Sequence, residues 1–150
     1  MYSGYSFKSS LKRRLFISFD WHHDRHYRYL LSALNANSRF DIEFDDGTPD
    51  EIQSTDISKV KAVLTTKIQA ADIGLILVGR YANSAHPDRL KIGELNWQHW
   101  ECRQCIARDK PLVIVKIERE YLAPAFVYNV GAQWINSFDV KDIANAIDRV

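Results

Sequence analysis

The chain has 150 residues, with 20 Lys and Arg against 19 Asp and Glu and a formal net charge of +1. That length suffices for one domain with a buried core. The near-neutral balance gives no general electrostatic case for nucleic acid or an anionic membrane. No apolar run approaches the roughly 20 residues that span a bilayer, and no signal-peptide order follows the basic start, so a cytoplasmic protein is expected. Both cysteines, Cys102 and Cys105, lie in one helical stretch and build no disulfide framework.

In chain order, residues 1–12 read as an N-terminal extension and 13–150 as the domain. "RLFISF" (14–19) is apolar throughout, as a buried strand should be. "HDRHYRYLLSALNA" (23–36) has Tyr27, Leu30, Leu31 and Leu34 at helical spacing, and "FDIEF" (40–44) alternates as a half-exposed strand. "DDGTPDEIQSTD" (45–56) is a loop by its turn chemistry. "ISKVKAVLTTKIQAA" (57–71) carries an apolar stripe and is expected to be a helix capped by Asp56 or Ser58.

"DIGLILVG" (72–79) is the most apolar strand and is expected at the centre. A polar loop over 80–90 leads to a helix of about 15 residues ending near Asp109. "PLVIVKIE" (111–118) reads as a further buried strand, "QWIN" as a short one, and "DVKDIANAIDRV" (139–150) as a closing helix capped by Asp139.

Alternating strands and helices imply crossover connections and a mostly parallel sheet covered on both faces. The expected fold is α/β, a flavodoxin-like three-layer sandwich with a central five-stranded sheet. No GxGxxG or Walker-type loop supports Rossmann or P-loop phosphate binding. In such sheets ligands bind outside the carboxyl ends of the strands, near the switch point. That rule selects Phe19, Asp20, Trp21 and His22 after the first strand, Asp45 and Asp46 after the second, and Gly79, Arg80 and Tyr81 after the third.

Three segments, in order, resemble one family. "RRLFISFDWHHD" resembles the opening strand and loop of TIR-like domains. "AADIGLILVGRYAN" is similar to the middle strand of the TIR-like domains of bacterial Thoeris antiphage proteins, and "WQHWEC" to that family's tryptophan-to-glutamate segment. The chain departs from the pattern by carrying "SAHPDRLKIGELN" before Trp97, and either Asp20 or Asp24 fills the place of the acid after the first strand.

The resemblance implies cleavage or cyclisation of NAD at the nicotinamide–ribose bond, in antiphage signalling, with Glu101 as the catalytic residue. NAD is then substrate, with no further cofactor, and self-association or a partner protein serves activation. The chemistry is coherent: breaking the bond develops oxocarbenium character on the ribose, which one carboxylate can stabilise. Nicotinamide leaves neutral, so no general acid is required. Trp97, one turn before Glu101 on the same side of the helix, would offer a flat face and an apolar surround. Arg80 is the expected pyrophosphate contact, with Asn83 and Ser84 in the same loop, and Phe19 and Trp21 the opposite wall.

Plainer readings stand beside these. Glu101 falls at the flank of a helix whose core side is marked by Leu95, Cys102 and Ile106, which fits a cleft lip or simple exposure. Glu94 reads as a surface acid. His22 and His26 have i, i+4 spacing, yet no further Cys or His pair is placed to complete a zinc site, so no metal is expected. "CRQC" lies well inside a helix, unlike redox pairs at helix starts; Cys102 is expected in the core and Cys105 partly exposed. Two other functions compete with NAD cleavage. One is a non-catalytic TIR-like module associating through Trp100 or the 45–51 loop; the other is a nucleoside deoxyribosyltransferase-like enzyme with Glu101 as covalent nucleophile.

Overall fold

A computed structural model describes residues 13–36, 42–44 and 55–150. The expected extension over 1–12 and the acids Asp45 and Asp46 lie outside the described residues. The strands are β1 (Arg13–Ser18), β2 (Ile42–Phe44), β3 (Ile73–Val78), β4 (Leu112–Lys116) and β5 (Gln133–Ile135). They pair in parallel in the order β2-β1-β3-β4-β5. The helices are α1 (Trp21–Leu30), α2 (Ile57–Ala70), α3 (Arg89–Ile92), α4 (Trp97–Ala107) and α5 (Val140–Asp148), with short 3-10 segments at Leu31–Ala36 and Ala125–Asn129. The chain is therefore an α/β fold, a parallel sheet flanked by helices.

Alternation along the strands sorts the core into two layers. Leu15, Ile17, Leu75, Leu77, Val113 and Val115 face α5 and the 3-10 turn, where Leu31, Leu34, Ile143 and Ile147 meet them. Phe16, Ile76, Val78 and Ile114 point to the other side, against Val60, Leu64 and Ile68 of α2 and Cys102 and Cys105 of α4. All six residues of β3 are buried, and each large aliphatic among them contributes about 1.5–3 kcal/mol by leaving water.

Local chemistry sets the helix starts. Asp20 accepts from His22 N, Asp56 from Ser58 N, and Asp139 from Asp142 N, each satisfying an amide with no intrahelical partner. The expected long helix before Asp109 is two pieces. Gly93, at φ +85°, ends α3 in the left-handed conformation. Asn96 then caps α4 by accepting from His99 N while donating to Ala82 O and Ser84 O. Likewise the helix expected over 23–36 starts at Trp21 and tightens into a 3-10 turn from Leu31.

Gly79, immediately after β3, lies under α1. A Cβ there would fall 2.0 Å from Asp24 Oδ2, a buried carboxyl with little room to move. Gly79→Ala is expected to lower unfolding free energy by about 2 kcal/mol, read as a lower urea midpoint. Removing the carboxyl in Gly79→Ala/Asp24→Ala should recover part of that loss.

Candidate active site

Sequence order puts β1 and β3 side by side, and the connections leaving them diverge: β1 runs into α1, and β3 into the loop before α3 and α4. This is the switch point of a doubly wound sheet. A cavity of about 550 Å³ opens there. Phe19, Asp20, Trp21 and His22 line one side, all four as the strand-end rule expects, and Trp97 and Gln98 of α4 line another. Tyr81 and His23, whose rings lie 4.1 Å apart, belong to the wall as well.

Glu101 is 2% exposed. Its carboxyl points neither to water nor onto the cavity wall but inward, one turn deeper than Trp97. Oε1 accepts from Ser18 Oγ at 2.5 Å, where β1 ends. Burial pushes its pKa from 4.5 up to about 8, and the Ser18 hydrogen bond pulls it partly back. The expected flank position is thus corrected. The buried side of α4 consists of Gln98, Trp100, Glu101, Cys102 and Cys105, so polar groups share the inward stripe. Cys105 and Trp100, expected to be accessible, are buried too. Burial raises the Cys102 thiol well above its usual range and Cys105 to about 12, so neither is poised as a thiolate.

Gln98, not singled out in the sequence, joins the elements. Its Nε2 donates to Leu77 O at 2.8 Å and to Ser18 O at 3.1 Å, bridging the ends of β3 and β1. The signal available for it was its register: Gln98, Cys102 and Cys105 fall at i, i+4 and i+7, one face of a helix.

Arg80 and Asn83 are not brought to the cavity. Arg80 is exposed and hydrogen-bonds the Tyr121 and Tyr81 side chains. Asn83 donates to Leu122 O and meets His99 Nε2 at 2.8 Å, bracing the loop after β4. Ser84 does line the cavity, as does His86 from the same connection. Among the described lining residues there is no Lys or Arg, and Asp20 and Asp88 are acidic. His26 is exposed on α1, and no group of three or more His, Cys, Asp or Glu among the described residues is arranged to hold a metal ion.

Of the two acids after β1, Asp20 caps α1 and bonds His23 Nδ1 at 2.7 Å. Asp24 is 7% exposed, with Oδ2 lacking a hydrogen-bond partner. Burial, reinforced by the neighbouring Asp20 charge, raises its pKa to about 6.

The family described as Thoeris protein ThsB, TIR-like domain, matches residues 16–121. Curated proteins give no match. Among solved structures, the chain is similar to a conserved protein from Enterococcus faecalis, with TM-score 0.60, 10% identity, and coverage of 93% of this chain and 99% of that one. It is similar to the Clostridium botulinum CMP N-glycosidase, with TM-score 0.56, 14% identity, and coverage of 91% and 99%. A prokaryotic SEFIR domain gives TM-score 0.52 and 16% identity, covering 91% and 94%. At these identities the structural likenesses establish the fold. Among the described residues no helix is long and apolar enough to cross a membrane.

A carboxyl whose folded pKa lies above its unfolded value favours the neutral acid, so ionising it opposes folding. Wild-type stability is therefore expected to fall as pH rises from about 4.5 to about 8. Glu101→Gln keeps the shape and the Ser18 partner without the charge. Its stability relative to wild type should climb across that window and exceed it by more than about 1 kcal/mol in urea titrations at pH 8.5.

Proposed function

Because the chain belongs to the family of TIR-like domains of Thoeris protein ThsB, we propose that it cleaves or cyclises NAD at the nicotinamide–ribose bond in antiphage signalling, with Glu101 as the catalytic carboxylate. The observation that carries this reading is the buried Glu101 carboxyl, tied to Ser18 at the switch point and one helical turn behind the cavity wall. A buried acid with a strongly raised pKa beside a cleft is the kind of group that chemistry uses. The Clostridium botulinum neighbour, a CMP N-glycosidase, acts on the same class of bond.

The cavity favours the nicotinamide riboside end of NAD as the part that enters. Phe19, Trp21 and Trp97 offer flat apolar faces, and Asp20 and Asp88 suit a cationic pyridinium. The same acids, and the absence of Lys or Arg from the described lining, disfavour burying the pyrophosphate there, which is better left at the rim. Movement of the half-buried Trp97 side chain would open the wall towards Glu101. A pyridinium arriving nearby lowers the Glu101 pKa, so the carboxyl loses its proton to solvent as substrate binds. The C1′–N bond then breaks with its electron pair going to the nicotinamide nitrogen, and the carboxylate stabilises the oxocarbenium ion. Water, or a nucleophile of the adenosine half, adds to C1′ and passes its proton to Glu101.

Activation by self-association or a partner protein belongs to this reading, since in the unliganded chain the carboxyl does not reach the cavity surface. Concentrated protein incubated with NAD is expected to release nicotinamide, detected by chromatography. Glu101→Gln should lower the rate at least about 100-fold, the scale of a lost electrostatic contact to the transition state. In the wild type, kcat/KM should rise with pH towards about 8, where free Glu101 ionises. Cytosine released from CMP rather than nicotinamide from NAD would move the substrate, not the bond class.

A further inference from the structure

Gln98 has a geometry beyond that of a brace. Its side chain is 6% exposed, it lines the cavity, and both hydrogens of Nε2 are committed to main-chain carbonyls, Leu77 O and Ser18 O. Because both partners are acceptors, the amide can face them only with its nitrogen, so a flipped amide is ruled out by chemistry. Oε1 is thereby held in one orientation, and no described residue donates to it. Oε1 is open to the cavity rather than sealed from it, so a ligand donor can take the place of the water it would otherwise hold.

We infer that Gln98 Oε1 is a fixed acceptor in the cavity floor that reads an N–H donor on the substrate's ring, selecting bases that bear an amino or carboxamide NH2 group. The inference rests on the N-glycosidic reading of the site and names the feature of the leaving group that it recognises. The physical basis is asymmetric discrimination. A site built around a fixed acceptor rejects an analogue that cannot donate, because the oxygen would then give up its water without gaining a donor. The position fits the chemistry, since the Ser18 residue whose carbonyl holds Gln98 also holds the Glu101 carboxyl. The acceptor and the acid are therefore referred to the same strand end, and a base bonded to one would present its glycosidic bond towards the other.

Two ring chemistries carry such a donor, a nicotinamide and an aminopyrimidine, and paired analogues separate them at constant charge. Quenching of the intrinsic fluorescence of the full chain, in which Trp21 and Trp97 line the cavity, is measured against nicotinamide riboside and the riboside of methyl nicotinate, which lacks the N–H. The second pair is cytidine and 4-O-methyluridine, which likewise lacks the N–H. The NH2-bearing member is expected to bind about tenfold tighter in at least one pair, the worth of one hydrogen bond to a buried acceptor. Preference in the first pair alone identifies the pyridinium, and in the second alone the pyrimidine.

Gln98→Met, or Gln98→Asn if circular dichroism shows the first variant unfolded, should bring the ratio close to one. Equal binding within both pairs, no binding by any of the four ligands, or a preference that survives in the folded variant would each overturn the inference. Nicotinamide release from NAD is scored separately. Cleavage with no analogue preference sinks the acceptor alone, and preference without cleavage sinks the catalytic reading alone.

Discussion

Ser18 ties the site together. Its hydroxyl donates to the Glu101 carboxyl, and its carbonyl accepts from Gln98, whose amide also reaches Leu77 O on the neighbouring strand. At a switch point two parallel strands end side by side while their connections leave for opposite faces. The gap that results is what makes a cavity possible, and it also brings main-chain carbonyls to a place where water is scarce. Leaving such a group without a partner costs about 1–3 kcal/mol. One glutamine supplies a donor to each strand end and so fixes how the first turn of α4 sits on the sheet. Glu101 follows three residues later, and its depth is a consequence of that seating.

Two acids with raised pKa values flank the strand ends from opposite sides. Glu101 belongs to the layer of α2 and α4, whereas Asp24 reaches Gly79 from α1, on the other face. Burial is the first cause of both shifts. Among the described residues neither acid has a Lys or Arg partner, and for Asp24 the nearby His23 lowers the pKa only in part. Each makes the folded chain less stable as it ionises. A fold that keeps two such groups beside the strand ends gives up stability at alkaline pH, a cost that packing alone does not explain.

The elements legible in the sequence were those set by local or one-dimensional rules. β3 announced itself as an unbroken apolar run, because a strand covered on both faces needs no alternation. The caps Asp56 and Asp139 needed only their own following amides. The lining residues after β1 followed from where a parallel sheet puts its strand ends. The depth of α4 was not legible, because apolar periodicity counts only apolar residues. Here Gln98 and Glu101 occupy the inward stripe, their polarity satisfied by Ser18 and two strand carbonyls distant in sequence. Trp100 was an exposed association surface only in the non-catalytic module reading, since a large aromatic fits either side. Arg80 was placed correctly in sequence, after β3, but its guanidinium turns to Tyr121 and Tyr81. Side-chain direction after a strand end is a tertiary property.

The neighbours in fold bear different descriptions, an N-glycosidase and a SEFIR domain, so the scaffold by itself decides nothing about chemistry. What distinguishes an enzyme on this scaffold from a docking module is the treatment of the switch point. A module can fill it with apolar side chains and gain stability. This chain instead buries a carboxyl there with no counter-ion among the described residues, lines the adjacent cavity with aromatic side chains, and ties the two strand ends together through Gln98. Burial keeps that carboxyl neutral below about pH 8, and under the proposed function a cationic substrate would lower its pKa. Under that proposal, substrate binding and ionisation of Glu101 are one electrostatic event. The position of Ser18 at the end of β1 fixes where the Glu101 carboxyl lies.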